Sequence, residues 1–250
     1  MLRPLVTERL VETVPRVDRA GRGHQHGPMR RLHPQPTASV DVTAAYADLA
    51  RPRPPDRPWV TMLMIESGDG ATVVDGKSGR LGGPGDQLVY RTVRALGDGV
   101  LVGAATARVE QYQPLALPRR LLIVTSSGDL GASAPVLDEP STTLLMPVDA
   151  AAPDGVDVVR AGHGHTDHAG ALAQLGHIDH VVCEGGPSIN GQMLAAGLID
   201  EVCLSFAPRF VAGRSPRLAH GDQSAPLDAW ALAHVLGDDD GFLFLCYRRH

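Results

Sequence analysis

Apolar residues in this chain gather in short runs separated by Gly, Pro and Asp, and from Trp59 onward the runs become regular. Trp59–Ile65, Gly99–Gly103 (GVLVG) and Arg120–Thr125 read as buried strands, with Thr142–Pro147 and Val156–Val159 as two more. A Gly/Asp-rich loop, Ser67–Gly85, follows the first strand. Pro84 and Asp86 then open a helix whose Leu88, Val89, Val93 and Leu96 fall at helical spacing. Asp167–Leu175 reads as a short helix, and Trp230–Gly237 and Phe242–Arg248 as a closing antiparallel pair turned at Asp238–Gly241. Strands alternating with helices predict an open α/β sheet with an antiparallel C-terminal edge.

The stretch on which this pattern centres is Val181 to Gly213. An apolar strand, Ile178–Cys183, ends at the acid Glu184, and Gly185-Gly186 let the backbone turn tightly. Pro187 suits the first position of a helix, where its missing N–H is no loss, and Ser188 stands in its first turn. Ile189, Met193 and Leu194 form that helix's apolar face, and Gly197 is its predicted left-handed cap. A second buried strand, Glu201–Ala207, ends at Pro208. Strand, Gly-Gly, helix start and strand together are an anion site in many α/β proteins, because free amides and the positive helix end face outward. The same pattern is also an ordinary βαβ unit with a tight turn.

Composition bounds the rest. A chain of 250 residues that is 43% hydrophobic supports one sizeable core, and with only 4% aromatics that core is mainly aliphatic. No run approaches the ~20 apolar residues of a membrane span. Cys183, Cys203 and Cys246 share no metal-ligand spacing and read as buried free thiols of a cytosolic protein. Residues 1–57 hold ten Arg against six acids, leaving 13 basic against 22 acidic residues beyond them. Lys77 is the only lysine, so the arginines reflect a global bias rather than a nucleic-acid patch. RPRPPDRP (Arg51–Pro58) can be neither helix nor central strand. The expected organisation is a disordered or non-native extension over 1–27, with Met29 as a sensible start, a Pro/Arg-rich lead-in over 28–57, and one domain over 58–250.

Three blocks carry a resemblance: RPWVTMLMIESGDG at Arg57–Gly70, GPGDQLVYRTVRALGDGVLVGAATARVE at Gly83–Glu110, and CEGGPSINGQMLAAGLIDEVCLSFAPRFVAG from Cys183. Together they resemble the pyrimidine reductase domain of riboflavin biosynthesis, which often forms the C-terminal half of a bifunctional deaminase-reductase. The resemblance runs from about Arg57 to Tyr247. It implies a dihydrofolate-reductase-like fold, a mixed, mostly parallel sheet flanked by helices. It also implies NADPH as cofactor, a small-molecule substrate, a cytoplasmic location and a homodimer, with no nucleic-acid or membrane partner. In the dimer, two-fold pairing would cover the open edge of the C-terminal strands.

The resemblance assigns roles that physical chemistry makes reasonable. Gly185, Gly186, Pro187 and Ser188 would cradle the cofactor pyrophosphate on helix amides. Gly83, Gly103, Ala104 and Thr106 are further cofactor positions, and Thr125 and Ser126, with Ser127, would hold the adenosine ribose and its 2′-phosphate. Each of these is, taken alone, an ordinary turn or helix-cap residue. Asp69 and Glu184 would face each other as the catalytic acids, because hydride transfer to a ribosylamino group needs its ring-opened imine protonated on nitrogen. Ser67, Asp69, Arg91 and Arg94 would contact substrate, the two arginines reaching for its phosphate. A turn role for Asp69 and a solvated helix face for Arg91 are the structural alternatives.

The sequence also departs from the family. His is common where Arg91 stands, and a D-D-P…T-V-R run is replaced here by Glu110-Gln111-Tyr112-Gln113-Pro114, at positions expected to grip the ribosyl phosphate. Two substrates stay open: a ribosylaminopyrimidine phosphate or a related pterin-like molecule such as dihydrofolate. A non-catalytic nucleotide- or flavin-binding protein of the same fold is the alternative to an enzyme. Neither H-x-E nor P-C-x-x-C occurs, so pyrimidine deamination is expected on another chain. His163-Gly164-His165-Thr166-Asp167-His168 matches the H-x-H-x-D-H motif of metallo-β-lactamase-like hydrolases. Only 82 residues follow it, and they hold the reductase-like block, so no metal is expected there. Thr166 or Asp167 is instead a helix cap.

Overall fold

The computed structural model describes residues 28–131, 136–137 and 139–250, so the expectation for residues 1–27 lies outside the described residues. Its strands are β1 (Arg30–His33), β2 (Trp59–Ser67), β3 (Gly99–Gly103), β4 (Arg120–Val124), β5 (Thr142–Met146), β6 (Asp157–Arg160), β7 (His180–Cys183), β8 (Glu201–Ala207), β9 (Trp230–Gly237) and β10 (Leu243–Arg249). The helices are α1 (Val42–Ala47), α2 (Pro84–Leu96), α3 (Ala104–Val109), α4 (His168–Ala173) and α5 (Pro187–Ala195). All strands join one sheet in the order β1-β9-β10-β8-β2-β7-β3-β4-β5-β6. Pairing from β8 through β6 is parallel, and β1, β9 and β10 add an antiparallel edge. This is the mixed, mostly parallel sheet that the resemblance implies, with the antiparallel C-terminal strands that the pattern predicts.

The apolar runs become central strands because both faces of the sheet are covered. Val60 and Met62 of β2 pack with Ala171, Leu172 and Met193 of α4 and α5, while Leu63 packs with Val89 and Val93 of α2 on the opposite face. β3 divides in the same way, Leu101 facing α4 and α5 and Val100 and Val102 facing a smaller cluster around Ala107 of α3. A strand with two buried faces has no polar side to show, so it reads as a run rather than an alternation.

Two expectations need correction. Residues 28–57 are no mere lead-in: Met29, Val42, Ala45 and Tyr46 are buried in the core beside α2. Arg51 donates from Nε and Nη2 to Glu201 Oε1 at 3.1 and 2.8 Å, and Arg57 grips Asp200 through two hydrogen bonds of 2.6 and 2.8 Å. The edge of β9 expected to lie open is covered by β1, which runs antiparallel along it from the Arg30–Gly237 pair. The argument for edge-to-edge pairing of the C-terminal strands loses its premise. Among the described residues no helix is long and apolar enough to cross a membrane.

Candidate active site

The carboxyl ends of parallel strands are where α/β sheets place ligands, and here a cleft of about 650 Å³ opens at the ends of β2 and β7 against α2 and α3. Glu184 projects into it from the residue after β7. Its side chain is only 3% exposed and sits among three partners. Tyr112 Oη donates to Oε2 at 2.5 Å and Tyr90 Oη donates to the same oxygen at 3.2 Å. Arg94 Nε stands 2.9 Å from Oε1 as an ion pair. Their angle makes no hydrogen bond, so both atoms are buried without one. The guanidinium lies over the rings of Tyr90 and Tyr112, 5.5 and 5.7 Å from their centroids. Burial pushes the Glu184 carboxyl above its usual range, against the opposing pull of Arg94 and the two hydroxyls. Burial and the neighbouring carboxylate push both tyrosines up in turn, so they stay neutral donors.

Local sequence explains who reaches the cleft. Tyr90 and Arg94 are four residues apart on α2, hence one turn apart on one face, together with Asp86 and Gln87. Arg91 falls on the solvent side, exposed and away from the cleft, so the expected substrate role for it is not supported. Tyr90 and Tyr112 are the site residues that sequence reasoning missed. Tyr112 stands inside the very departure from the family pattern that marked the region as altered.

The glycine turn is close-packed. A Cβ on Gly186 would meet Thr106 Oγ1 at 2.5 Å, and one on Gly103 would meet Ile189 Cγ1 at 2.9 Å. Gly185 has φ +81, which suits glycine, and the Gly185-Gly186 peptide is cis. Gly103 N–H donates to Gly185 O at 2.7 Å, joining the start of α3 to the start of α5. Neither helix start has a side-chain cap, so first-turn amides of both are left for another acceptor. Thr106, Gly186 and Pro187 line the cleft. Ala104 begins α3, and Ser188, exposed, accepts from Gln192 Nε2 at 3.1 Å.

Other expected site residues lie elsewhere. Gly83 is the N-cap of α2 and packs on Phe242. Thr125 Oγ1 accepts the amide of Gly128 at 3.0 Å in the turn after β4, and Ser126 is exposed. Asp69 does not line the cleft. It accepts from Ser67 Oγ at 2.5 Å and from the amides of Val211 and Ala212 at 3.1 and 2.6 Å. These bonds hold its carboxyl down at about 2. A fully ionised loop tether is a poor proton donor, so pairing Asp69 with Glu184 as a second acid is corrected to a turn role, with Ser67 as its partner.

The histidine-rich stretch divides into separate tasks. Asp167 caps α4 through the amide of Gly170 at 3.1 Å. His168 is buried and donates from Nε2 to Gln192 Oε1 at 2.8 Å, while His163 and His165 are exposed. Among the described residues, one group of candidate ligands converges, Glu201, Cys203 and Cys246. It is fully buried, and Glu201 is already held by Arg51 and Arg248.

Comparison with known proteins bears on this geometry. The family model for the RibD C-terminal domain matches residues 58–244. The chain is 27% identical over 178 residues to a 2,5-diamino-6-ribosylamino-4(3H)-pyrimidinone 5′-phosphate reductase of Methanothermobacter thermautotrophicus, over 64% of this chain and 82% of that protein. It is 28% identical over 166 residues to the riboflavin biosynthesis protein RibD of Mycobacterium tuberculosis, over 62% of this chain and 44% of the relative, so it spans less than half of that protein. A solved pyrimidine reductase-like protein from Corynebacterium diphtheriae superposes with a TM-score of 0.71 at 23% identity, over 84% of this chain and 99% of that one. The yeast riboflavin biosynthesis reductase Rib7 superposes with a TM-score of 0.61 at 16% identity, over 83% and 96%. At these identities the solved structures speak for the fold alone.

Proposed function

The chain belongs to the RibD C-terminal domain family, and on that premise we propose that it is an NADPH-dependent reductase. Its substrate is a ribosylamino-substituted pyrimidine of the riboflavin pathway, or a related pterin-like ring such as dihydrofolate. The observation that carries this reading is Glu184, a buried carboxyl held by Arg94, Tyr90 and Tyr112 beside the Gly185-Gly186 turn into the uncapped start of α5.

The residues present fit the cofactor. At the turn a side chain is disfavoured by the positive φ of Gly185 and by Thr106 Oγ1 beside Gly186, and the uncapped starts of α3 and α5 leave amides for a pyrophosphate. Gly103, Ala104, Thr106 and the segment 185–188 would hold it, and Thr125 and Ser126 its adenosine end. Bound there, NADPH supplies the hydride. Glu184 holds the proton that the imine nitrogen of the substrate needs, its burial keeping that proton available at higher pH than an exposed carboxylate would. Tyr90, Tyr112 and Arg94 fix the carboxyl in place. A cytoplasmic homodimer is the assembly this reading takes over from the family.

The test is NADPH consumption, followed by its ultraviolet absorbance, with diaminated and deaminated ribosylaminopyrimidines, each with and without a 5′-phosphate, and with dihydrofolate. Turnover of any of these, and tighter binding of NADPH than of NADH, is the expected result. A protein that binds neither cofactor would end the proposal.

A further inference from the structure

At the rim of the cleft, Glu110 accepts the backbone N–H and the hydroxyl of Ser78 on one oxygen, both at 2.9 Å. A backbone amide with a serine hydroxyl is the donor pair a phosphate ester would take. In this chain a carboxylate of the protein itself has taken both. The charge around it has the same sense. Among the described residues lining the cleft, Asp86, Glu110 and Glu184 are acidic and Arg94 is the one cation. Arg94 is committed to Glu184 and enclosed by two tyrosine rings. Just outside the lining, Arg80 pairs with Asp75, and Lys77 and Arg217 are exposed to solvent. The interior offers a phosphate no free donor either: Glu184 Oε1 already faces Arg94 Nε at 2.9 Å, and Oε2 accepts from Tyr112 and Tyr90.

We infer that the substrate of this cleft is an unphosphorylated amino-heterocycle and that Glu110 excludes a 5′-phosphate. The inference rests on the reductase reading and narrows it. A phosphate dianion brought to this rim meets a carboxylate where it needs donors, and like charges placed together repel. An uncharged ring meets no such repulsion there.

The experiment compares one ribosylaminopyrimidine with its own 5′-phosphate on the full chain, by calorimetric binding without cofactor and by kcat/KM with NADPH. In the wild type the unphosphorylated compound should be favoured by about tenfold or more in both. Glu110→Gln removes the charge and keeps the acceptor. Glu110→Ala also frees Ser78. Both should improve the phosphate compound selectively and narrow the ratio, with melting temperatures showing that the variants fold. A wild type that prefers the phosphate, or variants that leave the ratio unchanged, would overturn the inference while leaving a reductase. Failure of both compounds to bind would overturn the inference, and only a failure to bind NADPH as well would take the reductase reading with it.

Discussion

Glu184 has to be buried, charged on demand and aimed, and its neighbours divide those tasks. Desolvation favours the protonated form, whereas the Tyr112 and Tyr90 hydroxyls and Arg94 favour the ionised one. Removing one hydroxyl should therefore raise the pKa further. In Tyr112→Phe, the loss of kcat/KM as pH rises through this group should move to higher pH, with NADPH affinity unchanged. Glu184→Gln keeps the shape but cannot carry the proton, so turnover should fall by about 10²–10⁴ while cofactor affinity holds. A pH profile identical to wild type in Tyr112→Phe would show that the hydroxyl only fills space. Glu184 was legible in the sequence because it ends an apolar strand before two glycines. Its tyrosines were not, because they lie 94 and 72 residues away along the chain and meet it only through the fold.

At the scale of elements, α2 is the part that relates the cleft to the core. One face carries Val89 and Val93 into the sheet and the next carries Tyr90 and Arg94 to Glu184, so a small shift of the helix would move the site. Its first turn is pinned by a glycine. A Cβ on Gly85 would lie 2.2 Å from Asp238 Oδ2 and 3.2 Å from Phe244 Cζ. Asp238 cannot swing away freely, because its other oxygen accepts the amides of Asp240 and Phe242, each at 3.0 Å. Gly85→Ala should destabilise the fold by about 1–3 kcal/mol, the range for overpacking. Gly79→Ala, with nothing within 4 Å, should stay near wild type. Urea denaturation of both decides it, and equal midpoints would mean that α2 can slide. The central strands were legible because their two buried faces make continuous apolar runs. β1 and α1 were not: their apolar residues, Met29, Val42, Ala45 and Tyr46, are too scattered among Pro, Arg and Thr to show a period, and only docking on α2 and β9 gives them structure.

For the whole molecule, that docked segment sets how the fold responds to acid. Tyr46 of α1 meets the ring of His234 on β9 edge-on, centroids 4.6 Å apart. His234 is buried, its Nε2 has no hydrogen-bond partner, and Arg31 and Arg51 lie close enough to oppose a further positive charge. Burial first, and those arginines second, push its pKa down from 6.5 to about 4. The direction of the pH effect follows. Between those values the unfolded chain takes up a proton that the folded one refuses, so stability is full above about 6.5 and falls as pH drops toward 4. His168 and His180 are depressed in the same direction by burial and add to the slope. One such group contributes at most about 1.4 kcal/mol per pH unit. His234→Leu removes one titrating site while filling most of the volume. Plotted against pH from 7 to 4, its denaturation free energy should fall less steeply than that of wild type, by up to that amount per unit, even if the variant starts lower. Parallel curves would mean that His234 already takes up its proton in the folded state, with the strands around it open to water.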